Sequence, residues 1–169
     1  MVNTVILDWG DTLMVNIPGA RGAMASWPEV RAVAGAKQAL EQLSGSYRLA
    51  VATNASDSNV RQVRRALARV ELDGYFTAIF TMHELGAMKP DLAFYRAVLR
   101  LLGCQPQQAV MVGDSFAADI IPAHQVGLRT VWYNPAHLSC HPLPPVQDGE
   151  ISDMALLPQV LKERMKDEG

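Results

Sequence analysis

Five short runs set the limits on what this chain can fold into: Thr4–Leu7 (TVIL), Arg48–Ala52 (RLAVA), Ala78–Thr81 (AIFT), Ala109–Val112 (AVMV) and Thr130–Tyr133 (TVWY). Apart from Arg48 they are apolar or β-branched, and they show little alternation of polar and apolar residues. A strand of that kind is buried on both faces, as in a parallel sheet sandwiched between helices. Helix-length segments separate the runs, so the expected fold is α/β: a doubly wound, Rossmann-like three-layer sandwich around a mostly parallel sheet. The length of 169 residues suits one domain spanning 1–169.

The connecting segments are read from periodicity and punctuation. Met14–Pro28 carries two glycines and two prolines and reads as a loop or flap with at most one short helical turn. Glu29–Leu43 has Val30, Val33, Ala36, Leu40 and Leu43 at helical spacing and is predicted as a helix ending near Gly45. Ser56 or Asp57 is expected to cap the next helix, which turns Val60, Val63, Leu67 and Val70 inward. Its Arg61, Arg65 and Arg69 stripe reads as a solvated face. His83–Asp91 is predicted as a loop, with Pro90 opening a helix to about Leu102. A further helix is expected to run to Gln125, bent by Pro122 unless that residue lies in its first turn. Residues 134–150 read as irregular and Ala155–Lys166 as an amphipathic helix.

Each of the first four runs, or the loop after it, ends in polar residues suited to chemistry: Asp8, Thr53, Lys89, and Asp114 with Asp119. Parallel strands bring their C-terminal ends to one edge, where α/β proteins place their working groups. Carboxylates gathered there repel unless a cation joins them. Mg²⁺ takes oxygen ligands and commonly binds through one or two carboxylates together with phosphate and water. Thr53 is suited to donate to a phosphate oxygen, and Lys89 to supply positive charge beside it.

VILDWGDTL at the first strand, LAVATN at the second, GAMKPD, and VGDSFAADI followed by HQVGL resemble, in order and spacing, the motifs of the haloacid dehalogenase superfamily of phosphohydrolases. The likeness runs from Asp8 to Asn134. It implies that Asp8 is the nucleophile and that the Gly10 carbonyl, Asp8 and Asp114 hold magnesium, with Asp119 in support. It also implies that Thr53, Asn54 and Lys89 hold the phosphate. The reaction implied is phosphate-ester hydrolysis through an aspartyl-phosphate. The dehalogenase branch, which needs no metal, is disfavoured by the presence of Asp114 and Asp119.

Two departures from that pattern matter. Phosphatases of the family usually carry an acid/base aspartate two residues after the nucleophile, where this chain has Gly10. Asp11 stands one residue further on, and successive residues of an extended segment point opposite ways, which argues against a simple relocation. A weak or selective phosphatase is the expectation, with aryl and acyl phosphates suffering less than alkyl ones. The second departure is size. Only 44 residues separate Asp8 from Thr53 and 35 separate Thr53 from Lys89, which leaves no room for a cap domain. An open site suits bulky or macromolecular phosphorylated substrates and leaves room for a second copy of the chain to cover it. Trp9 and Trp27 are candidates for its mouth, though packing against the core is the plainer role for each.

The net charge of −2 gives no general attraction to nucleic acid or acidic membranes. No apolar run is long enough to span a bilayer and no signal peptide is evident; with two cysteines, Cys104 and Cys140, a cytoplasmic setting is the default. His137, Cys140 and His141 offer three ligands where a closed zinc site wants four. Two alternatives stand beside the enzyme: a catalytically impaired, phosphate-binding or regulatory member of the same fold, and a receiver-like phosphoacceptor. The second is disfavoured because its Lys-Pro would come last, whereas here Gly113-Asp114-Ser115 follows Lys89-Pro90.

Overall fold

The computed structural model describes residues 1–139 and 145–165. Six strands form one sheet: β1 (Thr4–Leu7), β2 (Arg48–Thr53), β3 (Ala78–Thr81), β4 (Ala109–Gly113), β5 (Arg129–Tyr133) and β6 (Gly149–Ile151). Their order is β3-β2-β1-β4-β5-β6. Each adjacent pair is parallel, with Leu7 opposite Val51 on one side and Val112 on the other. The chain builds outward from β1 in one direction and then returns to build outward from β4 in the other. That reversal opens a crevice beyond the carboxyl ends of β1 and β4, where open α/β sheets bind ligands.

Alternation along the strands divides the core in two. Val5, Leu7, Val51, Val110, Val112 and Val131 face one layer, built from α1 (Ala36–Leu43), α2 (Val60–Ala68) and α6 (Leu157–Arg164). Ile6, Ala50, Ala52 and Met111 face the other, built from α4 (Leu92–Leu102) and α5 (Ile121–Val126). Both faces of every central strand are therefore greasy, which is why these runs carry no polar alternation. Among the described residues, a 3₁₀ turn at Met24–Ser26 is the only helical element between β1 and α1. Between β2 and β3 lie only α2 and the turn Asp73–Tyr75.

Several local expectations are corrected. The helix predicted over Glu29–Leu43 begins only at Ala36. Residues before it are extended: Val15 N–H donates to Arg31 O at 2.9 Å, and Val33 N–H to Leu13 O at 2.8 Å. Gly35 then turns the chain at φ 79°, and a Cβ there would lie 2.6 Å from Ala155 N. The apolar spacing of Val30 and Val33 reflects pairing with the 13–15 segment, which periodicity cannot distinguish from a helix face. Helix α2 is capped not by Ser56 or Asp57 but by Asn59. Its side chain accepts from Gln62 N–H at 3.0 Å while Gln62 Oε1 accepts from Asn59 N–H at 2.9 Å, a reciprocal capping box. Val60 and Val70 are only half-buried.

The predicted loop 83–91 begins with a single helical turn, α3 (Met82–Leu85), and Asp91, not Pro90, starts α4 by accepting from Ala93 N–H at 2.8 Å. Pro122 lies in the first turn of α5, directly after a π-helical turn at Phe116–Ile120. The segment expected to be irregular, 134–150, contains most of β6. The last helix starts as a 3₁₀ turn at Met154–Leu156; Lys166, like Cys140 and His141, lies outside the described residues. No described helix is long and apolar enough to cross a membrane.

Candidate active site

Asp8 sits one residue past β1, and its N–H still donates to Val112 O at 2.9 Å, so the ladder to β4 fixes its backbone. Asp114 follows β4 directly. Asp119 reaches back from the π-helical turn to lie against Gly113. A Cβ at Gly113 would stand 2.3 Å from Asp119 Oδ2, so only glycine admits this side chain there. One carboxylate oxygen from each of Asp8, Asp114 and Asp119 lies within 4.8 Å of the others. Lys89 enters from the loop before α4. Its Nζ donates to Asp8 Oδ1 at 2.6 Å, to Asp119 Oδ1 at 2.7 Å and to Ala52 O at 3.2 Å. The lysine side chain is 3% exposed and that of Asp119 1%.

The charges do not balance. Three carboxylates face one ammonium. Burial disfavours the Lys89 cation, but Asp8 and Asp119 outweigh it and hold the lysine firmly protonated. Asp119 is pushed up to about 7 by burial and then by the Asp8 charge, against the pull of Lys89. Burial and the charge of Asp8 lift Asp114 to about 6. An excess of negative charge on an all-oxygen donor set is what a hard divalent cation relieves, so these residues fit a metal of the Mg²⁺ class. The oxygens of Asp119 are already committed to Lys89 Nζ and to Ser115 N–H, the latter at 3.1 Å. Asp8 and Asp114 are freer to serve as direct ligands.

Thr53 is buried at the end of β2, where its Oγ1 accepts from Ala55 N–H at 3.1 Å. The Asn54 side chain is engaged with the lysine loop. Its Nδ2 donates to Lys89 O at 2.7 Å and its Oδ1 accepts from Lys89 N–H at 2.8 Å. Both ends of the amide grip the backbone of the lysine, making Asn54 a positioning residue for Lys89. Asp11 is turned away from this network. It adopts φ 58°, is exposed, and accepts from Asn16 N–H and Asn16 Nδ2, each at 2.9 Å. At Gly10, a Cβ would lie 2.7 Å from Asn16 Nδ2, so the amide of Asn16 occupies the place into which a side chain at 10 would project.

Two residues with no assigned role turn out to matter. The Thr12 hydroxyl, fully buried, accepts from Asp114 N–H at 3.2 Å and lies 3.1 Å from Asp114 Oδ1 and 3.5 Å from Asp8 Oδ2. It ties the first strand's loop to the fourth's. Its signal was a hydroxyl four residues after Asp8. Trp132 Nε1–H donates to Asp114 O at 2.9 Å, and nothing in the sequence singled it out for this. Trp9 and Trp27 both pack on the core, and both also border a cavity that Asn16 and Asn54 line. Trp9 Nε1–H is buried with no partner among the described residues, a cost of about 1–3 kcal/mol for an indole donor.

A family model for haloacid dehalogenase-like hydrolases matches residues 18–133. A pyrimidine 5'-nucleotidase of Streptococcus pneumoniae is 38% identical over 76 residues, covering 44% of this chain and 32% of that protein. A glyceraldehyde 3-phosphate phosphatase of Methanothermobacter thermautotrophicus is 33% identical over 91 residues, covering 54% of this chain and 39% of that protein. The chain thus spans well under half the length of these curated relatives. A crystal structure of an uncharacterized protein from Listeria monocytogenes superposes with a TM-score of 0.83 at 28% identity, covering 95% of this chain and 97% of that one. Sheet order, carboxylate rim and family match agree, and the chain belongs to the haloacid dehalogenase-like hydrolases.

Proposed function

We propose that this chain hydrolyses phosphate monoesters with Asp8 as nucleophile and Mg²⁺ as cofactor. The observation that carries the reading is the buried Lys89 ammonium held between Asp8 and Asp119, with an Asp114 oxygen within 4.8 Å of both carboxylates. Asp8, Asp114 and the Gly10 carbonyl would hold the metal, with Asp119 supporting through Lys89. When bound, the metal neutralises charge on the transferring phosphoryl oxygens.

The residues divide the remaining work. Lys89 offsets the repulsion between the Asp8 carboxylate and an incoming phosphate, and it does so without reorganising, because Asn54 and Asp119 already hold it. Thr53 donates its hydroxyl to a phosphate oxygen. An Asp8 carboxylate oxygen bonds to phosphorus, and the bond from phosphorus to the leaving oxygen breaks with its electron pair going to that oxygen. Water then bonds to phosphorus, and the aspartyl-phosphate bond breaks, returning its pair to Asp8. No carboxylate stands at position 10, and Asp11 is bound to Asn16, so protons come from and go to solvent. Losing general acid–base help costs roughly 10²–10⁴-fold. That cost falls hardest on alkyl phosphates, whose alkoxide needs a proton to leave, and least on aryl and acyl phosphates.

The relatives named above are a pyrimidine 5'-nucleotidase and a glyceraldehyde 3-phosphate phosphatase, which supports a small phosphorylated substrate here. The Asn16 amide beside Gly10 also favours a second reading: a phosphate-binding member with little turnover. Magnesium-dependent release of phosphate from phenyl phosphate, abolished in Asp8→Asn, supports the enzyme. Binding of phosphate without release supports the second reading.

A further inference from the structure

We propose that the cavity bordered by Trp9, Asn16, Met24, Trp27, Asn54 and Ala55 receives the leaving group of the substrate, and that this group is a small, flat, uncharged ring. The proposal deepens the phosphohydrolase reading and rests on it.

Position comes first. Two of the cavity's walls touch the loops that carry the site: the Asn16 amide abuts Gly10, and the Asn54 amide grips the backbone of Lys89. Asn16 thus fills the space in front of Gly10. The group that leaves from phosphorus therefore departs past Asn16 and not past an acid. An aryloxide takes the bonding electron pair from phosphorus and is stable enough to leave before it is protonated by water.

The lining matches such a group. Two indoles and a thioether present the surfaces on which aromatic rings pack best. No Lys, Arg or His lines the cavity, and Asp57 adds negative charge, so a leaving group bearing a second phosphate or a carboxylate meets repulsion without compensation. The volume, about 230 Å³, is below the ~300–1,000 Å³ of drug-sized clefts and matches a single substituted ring.

Both walls are held in place. Trp27 Nε1–H donates to Arg21 O at 3.1 Å and Gly22 O at 2.9 Å. The Arg69 guanidinium, from the end of α2, donates to the carbonyls of Ala25, Trp27 and Pro28 at 3.3, 2.6 and 3.1 Å. Opposite, Asn54 is locked to Lys89, and His83 Nε2 lies 2.8 Å from Ser56 O. A pocket fixed before binding loses little entropy when a rigid ring enters it.

The test compares phenylphosphonate with methylphosphonate, bound in the presence of magnesium and followed by calorimetry. In parallel, kcat/KM is compared for phenyl phosphate and acetyl phosphate, two good leaving groups of which one is aromatic. The expected result is a preference of about tenfold for phenylphosphonate, of the size aromatic packing supplies. Ala55→Phe, which fills the cavity, and Trp27→Ala, which removes a wall, should each lower both the binding preference and the kinetic ratio. Ala55→Phe carries the test if Trp27→Ala does not fold. Equal binding of the two phosphonates by the unmodified protein, or a preference untouched by Ala55→Phe, would overturn the pocket while leaving the hydrolase reading intact. Failure to bind either phosphonate or to release phosphate from either ester would overturn both.

Discussion

Lys89→Met removes the one cation that the described residues place at the carboxylate rim while keeping the length and much of the bulk of the side chain. In the unmodified protein the ammonium satisfies Asp8 at 2.6 Å and Asp119 at 2.7 Å, all three side chains being largely buried. Taking one partner from a buried ion pair leaves uncompensated charge and typically costs about 3–5 kcal/mol. Against a total of about 5–15 kcal/mol for a domain, the variant still folds but with a clear deficit. The deficit should depend on pH. Asp119 already sits up at about 7 with Lys89 present, and without the lysine it rises further. A carboxyl whose folded value lies above its unfolded one contributes stability at low pH and loses it as pH rises through the folded value. The deficit should therefore be smaller at pH 5, where Asp119 is neutral and only the pair with Asp8 is lost, and largest at pH 8. Urea denaturation at the two pH values, without magnesium, reads this directly. A deficit under about 1 kcal/mol at pH 8, or one equal at both pH values, would refute the claim that Lys89 neutralises a buried acidic cluster.

Three further outcomes follow from the same geometry. Gly113→Ala puts a Cβ 2.3 Å from Asp119 Oδ2 and pushes that carboxylate off Lys89; denaturation should show a loss of about 3 kcal/mol, and an unchanged midpoint would contradict the close approach. Asp114 is raised to about 6, so a cation must displace a proton below that pH; the rise in melting temperature caused by magnesium should be larger at pH 8 than at pH 5, and the reverse order would count against Asp114 as a ligand. Gly10→Asp alone should speed alkyl phosphate hydrolysis little, because its Cβ would meet Asn16 Nδ2 at 2.7 Å. Combined with Asn16→Gly it should gain roughly a hundredfold, and no gain in the double variant would sink the argument about the missing acid.

The strands were legible because burial on both faces leaves a mark any reader can see: Val5 and Ile6 point to opposite helical layers, and both are apolar. Strand β6 was not, since Gly149-Glu150-Ile151 is too short to carry a pattern. Helix α1 was overextended because Val30 and Val33 recur at helical spacing while serving an extended pairing with residues 13–15. At the site, the acidic residues announced themselves by standing at strand ends. What they bond to did not. The use of Asn54 as a clamp depends on the backbone of a lysine 35 residues later in the chain, and the bond from Trp132 to Asp114 on neighbouring strands meeting at one rim. The position of Asn16 was equally hidden: it follows from the left-handed turn at Asp11, which bends the chain back over Gly10.

The most direct test of the account is chemical capture of the enzyme during turnover. Phenyl phosphate and magnesium are mixed with the protein, the reaction is quenched in acid within a turnover, and the peptide containing Asp8 is examined by mass spectrometry. A phosphoryl group on the Asp8 carboxylate, absent in Asp8→Asn, is the predicted result. Release of phosphate with no phosphoryl group ever found on Asp8, and with Asp8→Asn as fast as the parent, would contradict it.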